Sequence, residues 1–224
     1  WRNDNVTTWT DRANTGVASF DGSGDYMHNS SFTAYQSSTG SISTWYKPSN
    51  LSSWDYIFGV GGSNDTGQTR ALASNAGNLN FVGYSANWDT TVDLSVNTWY
   101  HLVATWNGDD IVVYVNGGGN AYSQTIADLA TPANTSGDHR GVVVGATTWN
   151  LTGNLEGQLA SCHVFDVTLS ASEVTELYAI EKRASISGHS KFSDCVGSWL
   201  MGADSSDTTS TIQDQTSGNK DLTI

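Results

Sequence analysis

"WYHLVATWNGDDIVVYVNGGG", residues 99 to 119, is the stretch that decides the fold class. Tyr100, Leu102, Ala104 and Trp106 alternate with His101, Val103 and Thr105. Beyond the break, Ile111, Val113 and Val115 alternate with Val112 and Tyr114. A period of two belongs to a pleated strand, whose successive side chains point to opposite faces. Asn107-Gly108 supplies the pair that tolerates positive φ at both central positions of a primed turn, and Asn116-Gly117 repeats the signal at the far end. The stretch therefore predicts a β-hairpin.

Outward from the hairpin, further strands are predicted in "GVASFDG", "GSISTWYKP", "WDYIFGVGG", "LNFVGYSA", "TVDLS", "SQTIADL", "GVVVGATT" and "GQLASCHVFDV". Glycine or Asn-Gly separates nearly every pair, the spacing of a sandwich or jelly roll rather than of βαβ units. With 23 glycines and two prolines in 224 residues, the composition is that of an all-β chain. One helix is predicted in "LSASEVTELYAIEKR", where Ser170 and Glu173 form a capping box and Val174, Leu177 and Tyr178 share a face packed against the sandwich edge. We expect one sandwich over residues 1–183 and a C-terminal arm over 184–224. Trp199, Leu200 and Met201 would each gain roughly 1.5–3 kcal/mol on full burial, so the arm is expected to dock on the sandwich or on a neighbouring subunit.

Charge and composition exclude several functions. A formal net charge of −13, with nine Lys plus Arg, provides no cationic surface for nucleic acid or for an anionic membrane. No apolar run is long enough to span a bilayer, and no charged-then-apolar leader is present. A chain that starts at Trp1 is expected to be a processed form or a piece of something longer. Cys162 and Cys195 are too few for a thiolate zinc site; one disulfide and two buried free thiols both remain open. Sequons begin at Asn5, Asn29, Asn50, Asn64, Asn134 and Asn150, about as many as chance gives in so Ser- and Thr-rich a chain.

"ASFDGSGDYM", "SISTWYKPS", "WYHLVATWNGDDIVVYVNGG", "VVVGATTW" and "GNLEGQLASCHVFDVTLSASEVTELY" together resemble, in order, the laminin-G-like branch of the concanavalin A-like lectin/glucanase superfamily over about residues 17 to 180. The tail "VGSWLMGADSSDTTSTIQDQTSGNKDLT" resembles a segment that accompanies such domains in marine bacteriophage structural and fibre proteins. The resemblance implies a jelly-roll sandwich of two antiparallel sheets. It further implies a mostly non-catalytic role in carbohydrate or protein recognition, often with calcium. In such a fold the hairpin is scaffold and binding comes from loops. Where many relatives carry an acidic pair in the closing strand, this chain has Ala160 and Ser161, which puts any contact made by that pair in doubt.

Glycosidases of this superfamily use paired carboxylates on one strand. The glutamates here are Glu156, Glu173, Glu176 and Glu181, the last three on the predicted helix, so no enzyme is expected. His28, His101, His139, His163 and His189 lack metal spacing, and two of them read as wall residues within strands. The nine tryptophans are the main positive feature, because indoles stack on the apolar faces of sugars and carry an edge donor. Trp45, Trp99 and Trp106 read as core. Trp54, Trp88 and Trp149, at strand ends or in loops, read equally as glycan platform or local packing, with Asn87, Asp89 and Asn150 to orient a sugar. Asp21 and Asp25 of "FDGSGDY" offer hard oxygens for structural calcium or simply make the turn, and Asp65 is a weaker case.

Two functions follow as expectations. One is a module that binds polysaccharide or cell-surface glycan. The other is a structural component of a virion surface whose loops and arm contact other assembly subunits, with Trp199 buried at the interface. Either places the chain outside the cell or on a virion surface.

Overall fold

The computed structural model of the chain describes residues 16–33, 37–52, 54–61, 69–83, 87–127, 129, 141–148, 150–152 and 155–224. Trp149, Asp65, His139 and the sequons at Asn5, Asn64 and Asn134 lie outside them.

Two antiparallel sheets pack face to face. The first contains β1 (Ala18–Asp21), β3 (Thr39–Pro48), β8 (Tyr100–Asn107), β9 (Asp110–Val115), β10 (Ala121–Thr125), β12 (Glu156–Phe165) and β13 (Cys195–Trp199). Its order is β1-β12-β3-β8-β9-β10, with β13 also on β12. The second contains β2 (Met27–Asn29), β4 (Trp54–Gly61), β5 (Arg70–Asn75), β6 (Asn78–Gly83), β7 (Asn87–Asp93), β11 (Gly141–Val144), β14 (Thr211–Ile212) and β15 (Leu222–Thr223). Its order is β14-β15-β2-β11-β4-β5-β6-β7. This is the jelly-roll sandwich expected, an all-β fold with one α-helix among the described residues.

The opening hairpin is β8 and β9, in register from Leu102 opposite Val115 to Asn107 opposite Asp110. Its two-residue turn is Gly108-Asp109, one position later than expected, and of that pair only Gly108 takes positive φ, at 63°. Glycine at the first central position alone is the signature of a type II′ turn. At the far end Asn116 and Gly117 both take positive φ, and the Asn116 side chain accepts the His101 amide at 2.9 Å.

The inter-sheet core runs from Tyr46, Leu102 and Trp106 on one side to Phe58, Leu72, Leu79 and Phe81 on the other. It also encloses Arg70, 2% exposed, whose Nη2 donates to the Leu129 carbonyl at 2.7 Å and whose guanidinium lies 5.2 Å from the Trp106 ring. Burial lowers its pKa to about 10, still well above neutrality, so it stays charged.

The helix α1 (Ala171–Ala179) starts at the capping box of Ser170 and Glu173. It packs on the outer face of the first sheet rather than on the sandwich edge, where Val174 and Leu177 form a second apolar cluster with Val103, Tyr114 and Phe165. Tyr178 is 39% exposed, so it does not join the buried face predicted for it.

The C-terminal segment is woven into both sheets: β13 lies beside β12, and β15 joins β2. Trp199 is fully buried in the inter-sheet core, not held out for a neighbouring subunit. The two cysteines are free thiols. Cys162 sits opposite Trp199 and packs in the inter-sheet core, whereas Cys195 sits opposite Phe165 and packs in the helix-side cluster. Separated along the strands and by the sheet itself, they do not form the disulfide left open by the sequence.

Candidate functional site

The outer face of the second sheet gathers most of the expected site. Cross-strand register places Tyr56, Ala73, Asn80 and Asp89 in one row over β4, β5, β6 and β7. A second row is Gly59, Ala71, Val82 and Asn87, and a third is Trp54, Asn75, Asn78 and Asp93. At about 4.8 Å per strand, each row spans about 14 Å, room for a short oligosaccharide.

Ala71, Ala73 and Val82 form the apolar floor, and the half-buried rings of Trp54 and Tyr56 pack against it. The two rings stack with centroids 6.1 Å apart and planes 24° apart. Small residues on β5 make this possible, since a larger side chain at position 71 or 73 would lift the rings off the sheet. Gly59 serves the same end: a Cβ there would meet the Ala71 Cβ at 2.5 Å and the Thr148 methyl at 3.1 Å. The turn carrying Asn150 borders this face through that Thr148 contact. Thr148 and Thr69 also share a hydrogen bond of 3.0 Å.

Opposite the aromatic pair stand polar groups. Asn78 Nδ2 donates to Asp89 Oδ2 at 3.3 Å, Asp89 Oδ1 accepts the Thr91 amide at 2.8 Å, and Asn80 Nδ2 donates to the Asn78 carbonyl at 2.9 Å. Asn87, Asp89 and Asp93 are exposed. Stacked rings for apolar C–H faces, with amides and carboxylates for hydroxyls, form a combination suited to a neutral sugar.

Not every expected residue arrives there. Trp88 lies inside β7, and alternation turns it away from Asn87 and Asp89 to pack against the inter-sheet core. Asn150 is exposed, but its Oδ1 accepts hydrogen bonds from Thr147 Oγ1 and, at 3.2 Å, from the Thr152 amide, so it holds its own turn. Tyr56 and Asn78 complete the face and were missed, while Asn80, 3% exposed, is buried in its floor; the alternation of "WDYIFG" and of "NLN" was the signal that could have found them.

Asp21 and Asp25 serve a turn. Asp21 Oδ1 accepts the Ser23 amide at 2.8 Å, and Asp25 Oδ2 accepts the Asp21 amide at 3.1 Å. Burial pushes the Asp25 carboxyl up to about 6, which disfavours the charged form a cation would need. Calcium takes six to eight oxygens. Among the described residues no three His, Cys, Asp or Glu side chains converge on one point.

Of the three tryptophans expected in the core, Trp106 is there at 1% exposed. Trp45 and Trp99 are half-buried on the outer face of the first sheet. His101 and His163 are buried walls, and burial lowers both to about 3, so they are neutral. Among the described residues no helix is long and apolar enough to cross a membrane.

A candidate carbohydrate-binding protein from Bacteroides ovatus superposes with a TM-score of 0.64 at 14% identity, over 89% of this chain and 55% of that one. This chain thus spans about half the length of that protein. The heptameric pentraxin of Limulus polyphemus gives a TM-score of 0.56 at 20% identity, covering 73% of this chain and 81% of the pentraxin. The CBM40 domain of the Ruminococcus gnavus IT-sialidase, solved with α2,3-sialyllactose, gives 0.51 at 13%, covering 63% and 83%. At these identities the likeness is one of fold. No curated protein matches the chain. The family model described as concanavalin A-like lectin/glucanases superfamily, of laminin-G type, matches residues 21–175, well over half of the sequence. The chain belongs to that superfamily.

Proposed function

We propose that the chain is a non-catalytic carbohydrate-binding module that holds a neutral glycan across the outer face of the second sheet. The observation that carries this reading is the stacked Trp54–Tyr56 pair on β4, with Asn78 on β6 and Asp89 on β7 across the same face. Proteins of the same fold support the carbohydrate-binding part of this reading, one a carbohydrate-binding candidate and one solved with a sialyl sugar; the neutral character of the ligand rests on Asp89 and Asp93 of this face. The module acts outside the cell, as part of a secreted adhesin or a virion surface; the resemblance of the tail to phage fibre segments supports the second setting. Asp21 and Asp25 accept turn amides, and this reading calls on no calcium.

The test is a glycan array on the whole chain, repeated with Trp54→Ala and Asp89→Asn. Retention of neutral glycans that falls at least tenfold in both variants, at unchanged thermal stability, supports the assignment. A blank array from the folded wild type overturns it and leaves an assembly role as the account of the module.

A further inference from the structure

The helix side of the sandwich presents a second aromatic surface of opposite electrostatic character. Trp45 and Lys47 on β3, with His101 on β8 and Trp99 just before it, project from the outer face of the first sheet beside α1. Trp45 stacks on Tyr178 with centroids 5.5 Å apart and planes 20° apart. Lys47 Nζ lies 5.4 Å from the Trp99 ring and Lys182 Nζ lies 5.6 Å from the same ring, so two ammoniums share one indole. Lys182 Nζ is also 6.0 Å from the Trp45 ring.

This concentration of cations is exceptional in the chain. The sequence contains four lysines against a formal net charge of −13, and two of the four meet here. Lys182 Nζ has a Glu181 carboxylate at 3.8 Å, but that carboxylate is itself shared with Arg183. Lys47 has no ion-pair partner among the described residues.

Behind the lysines lies a small half-open pocket, about 10 Å3 and so just large enough for a single water-sized group such as a hydroxyl, lined by Trp45, His101, Ser161, His163 and Lys182 among others. Apart from Glu181 at its rim, its lining carries no negative charge. His101 is 1% exposed; its Nε2 shares a hydrogen bond of 3.0 Å with Ser43 Oγ, while its Nδ1 has no hydrogen-bond partner. A buried ring nitrogen without a partner is costly unless an incoming group satisfies it. The pocket that the ring lines is where a hydroxyl could do so.

We infer that this surface is a second saccharide site, selective for acidic sugars, in which Lys47 and Lys182 hold the carboxylate or sulfate, Trp45 and Trp99 pack the ring, and His101 Nδ1 meets a hydroxyl. Charge separates its ligand from that of the other face: Asp89 and Asp93 there repel the anion that the two lysines here attract. The two sites lie on opposite outer faces of the sandwich, so they bind independently.

The experiment is an array and calorimetric titration with oligosaccharides ending in glucuronate, galacturonate or sialate, each beside its neutral counterpart, and with inorganic sulfate alone. Lys47→Gln, Lys182→Gln and Trp99→Ala are compared with wild type and with Trp54→Ala. At least one acidic sugar is expected to bind over its neutral counterpart, to weaken about tenfold in each lysine variant and in Trp99→Ala, and to weaken with salt. Trp54→Ala leaves this binding unchanged while abolishing that of neutral glycans. The inference is overturned if no acidic sugar is preferred, if the preference survives both lysine substitutions, if it is lost with Trp54 instead, or if inorganic sulfate binds as tightly as the sugars.

Discussion

The indole Nε1 of Trp199 donates a hydrogen bond to the Lys220 carbonyl at 2.9 Å, and its ring packs 5.9 Å from that of Phe32. One side chain thus ties the end of the chain to its beginning through the middle of the core. Around it Asp214 accepts amides from Ser198, Thr216 and Lys220, at 2.9–3.0 Å. Trp199→Ala removes the largest apolar group of this seam and orphans the Lys220 carbonyl. Its cost is roughly 3–5 kcal/mol, read by chemical denaturation. Deleting residues 184–224 is expected to prevent folding, since it strips a strand from the first sheet and two from the second.

Gly118 abuts the start of α1 so closely that a Cβ would stand 1.8 Å from the Ala171 carbonyl oxygen. Gly118→Ala therefore pushes the helix off the sheet, at a cost of about 1–3 kcal/mol. Gly119 has open space around it, so Gly119→Ala leaves stability within about 0.5 kcal/mol of wild type. Unfolding curves of the pair make the comparison.

Asp55 is 2% exposed, and burial, then the charge of Glu156, push its carboxyl from 3.8 up to about 7. Asp25 is raised in the same sense, to about 6. Between pH 4 and 7 these two carboxyls hold protons in the folded chain that they release on unfolding, so their contribution to stability falls as pH rises through that window, whereas the neutral buried His101 and His163 take up protons on unfolding below about pH 6.5 and oppose it. Relative to Asp55→Asn, which carries no titratable group there, the wild type is expected to lose melting temperature from pH 5 to pH 8. A difference between the two proteins that stays constant from pH 5 to pH 8 contradicts this.

Burial pushes the thiols of Cys162 and Cys195 up to about 12, so neither is a thiolate at neutral pH. The native chain is expected to resist alkylation at pH 8, and the denatured chain to take up two labels without prior reduction. No label in denaturant would show a bridge between them.

Residues 99–119 were enough to specify the hairpin, because two-residue periodicity and Gly108 each dictate backbone geometry locally. Ser170 and Glu173 likewise set the start of the helix from their own spacing. β5 went unread because "RALASN" lacks the β-branched and aromatic residues that mark strands; its small side chains make sense only beneath Trp54 and Tyr56. β14 and β15, two residues each, carry no period at all and exist because β2 offers a free edge.

The tryptophans mark the limit of the sequence. Alternation establishes that Trp88 faces away from Asn87 and Asp89, and Trp45 away from Tyr46, but not which side of either strand is core. That choice belongs to the layers: the sheet opposite buries Tyr46 and Trp106 and draws the half-buried Trp88 against the core, while α1 covers only part of the other face and leaves Trp45 and Trp99 at its rim. Local spacing determined the strands, the turn and the cap; which aromatic side chains became platform and which became core was decided by the packing of distant segments, because burial is a property of both surfaces in contact.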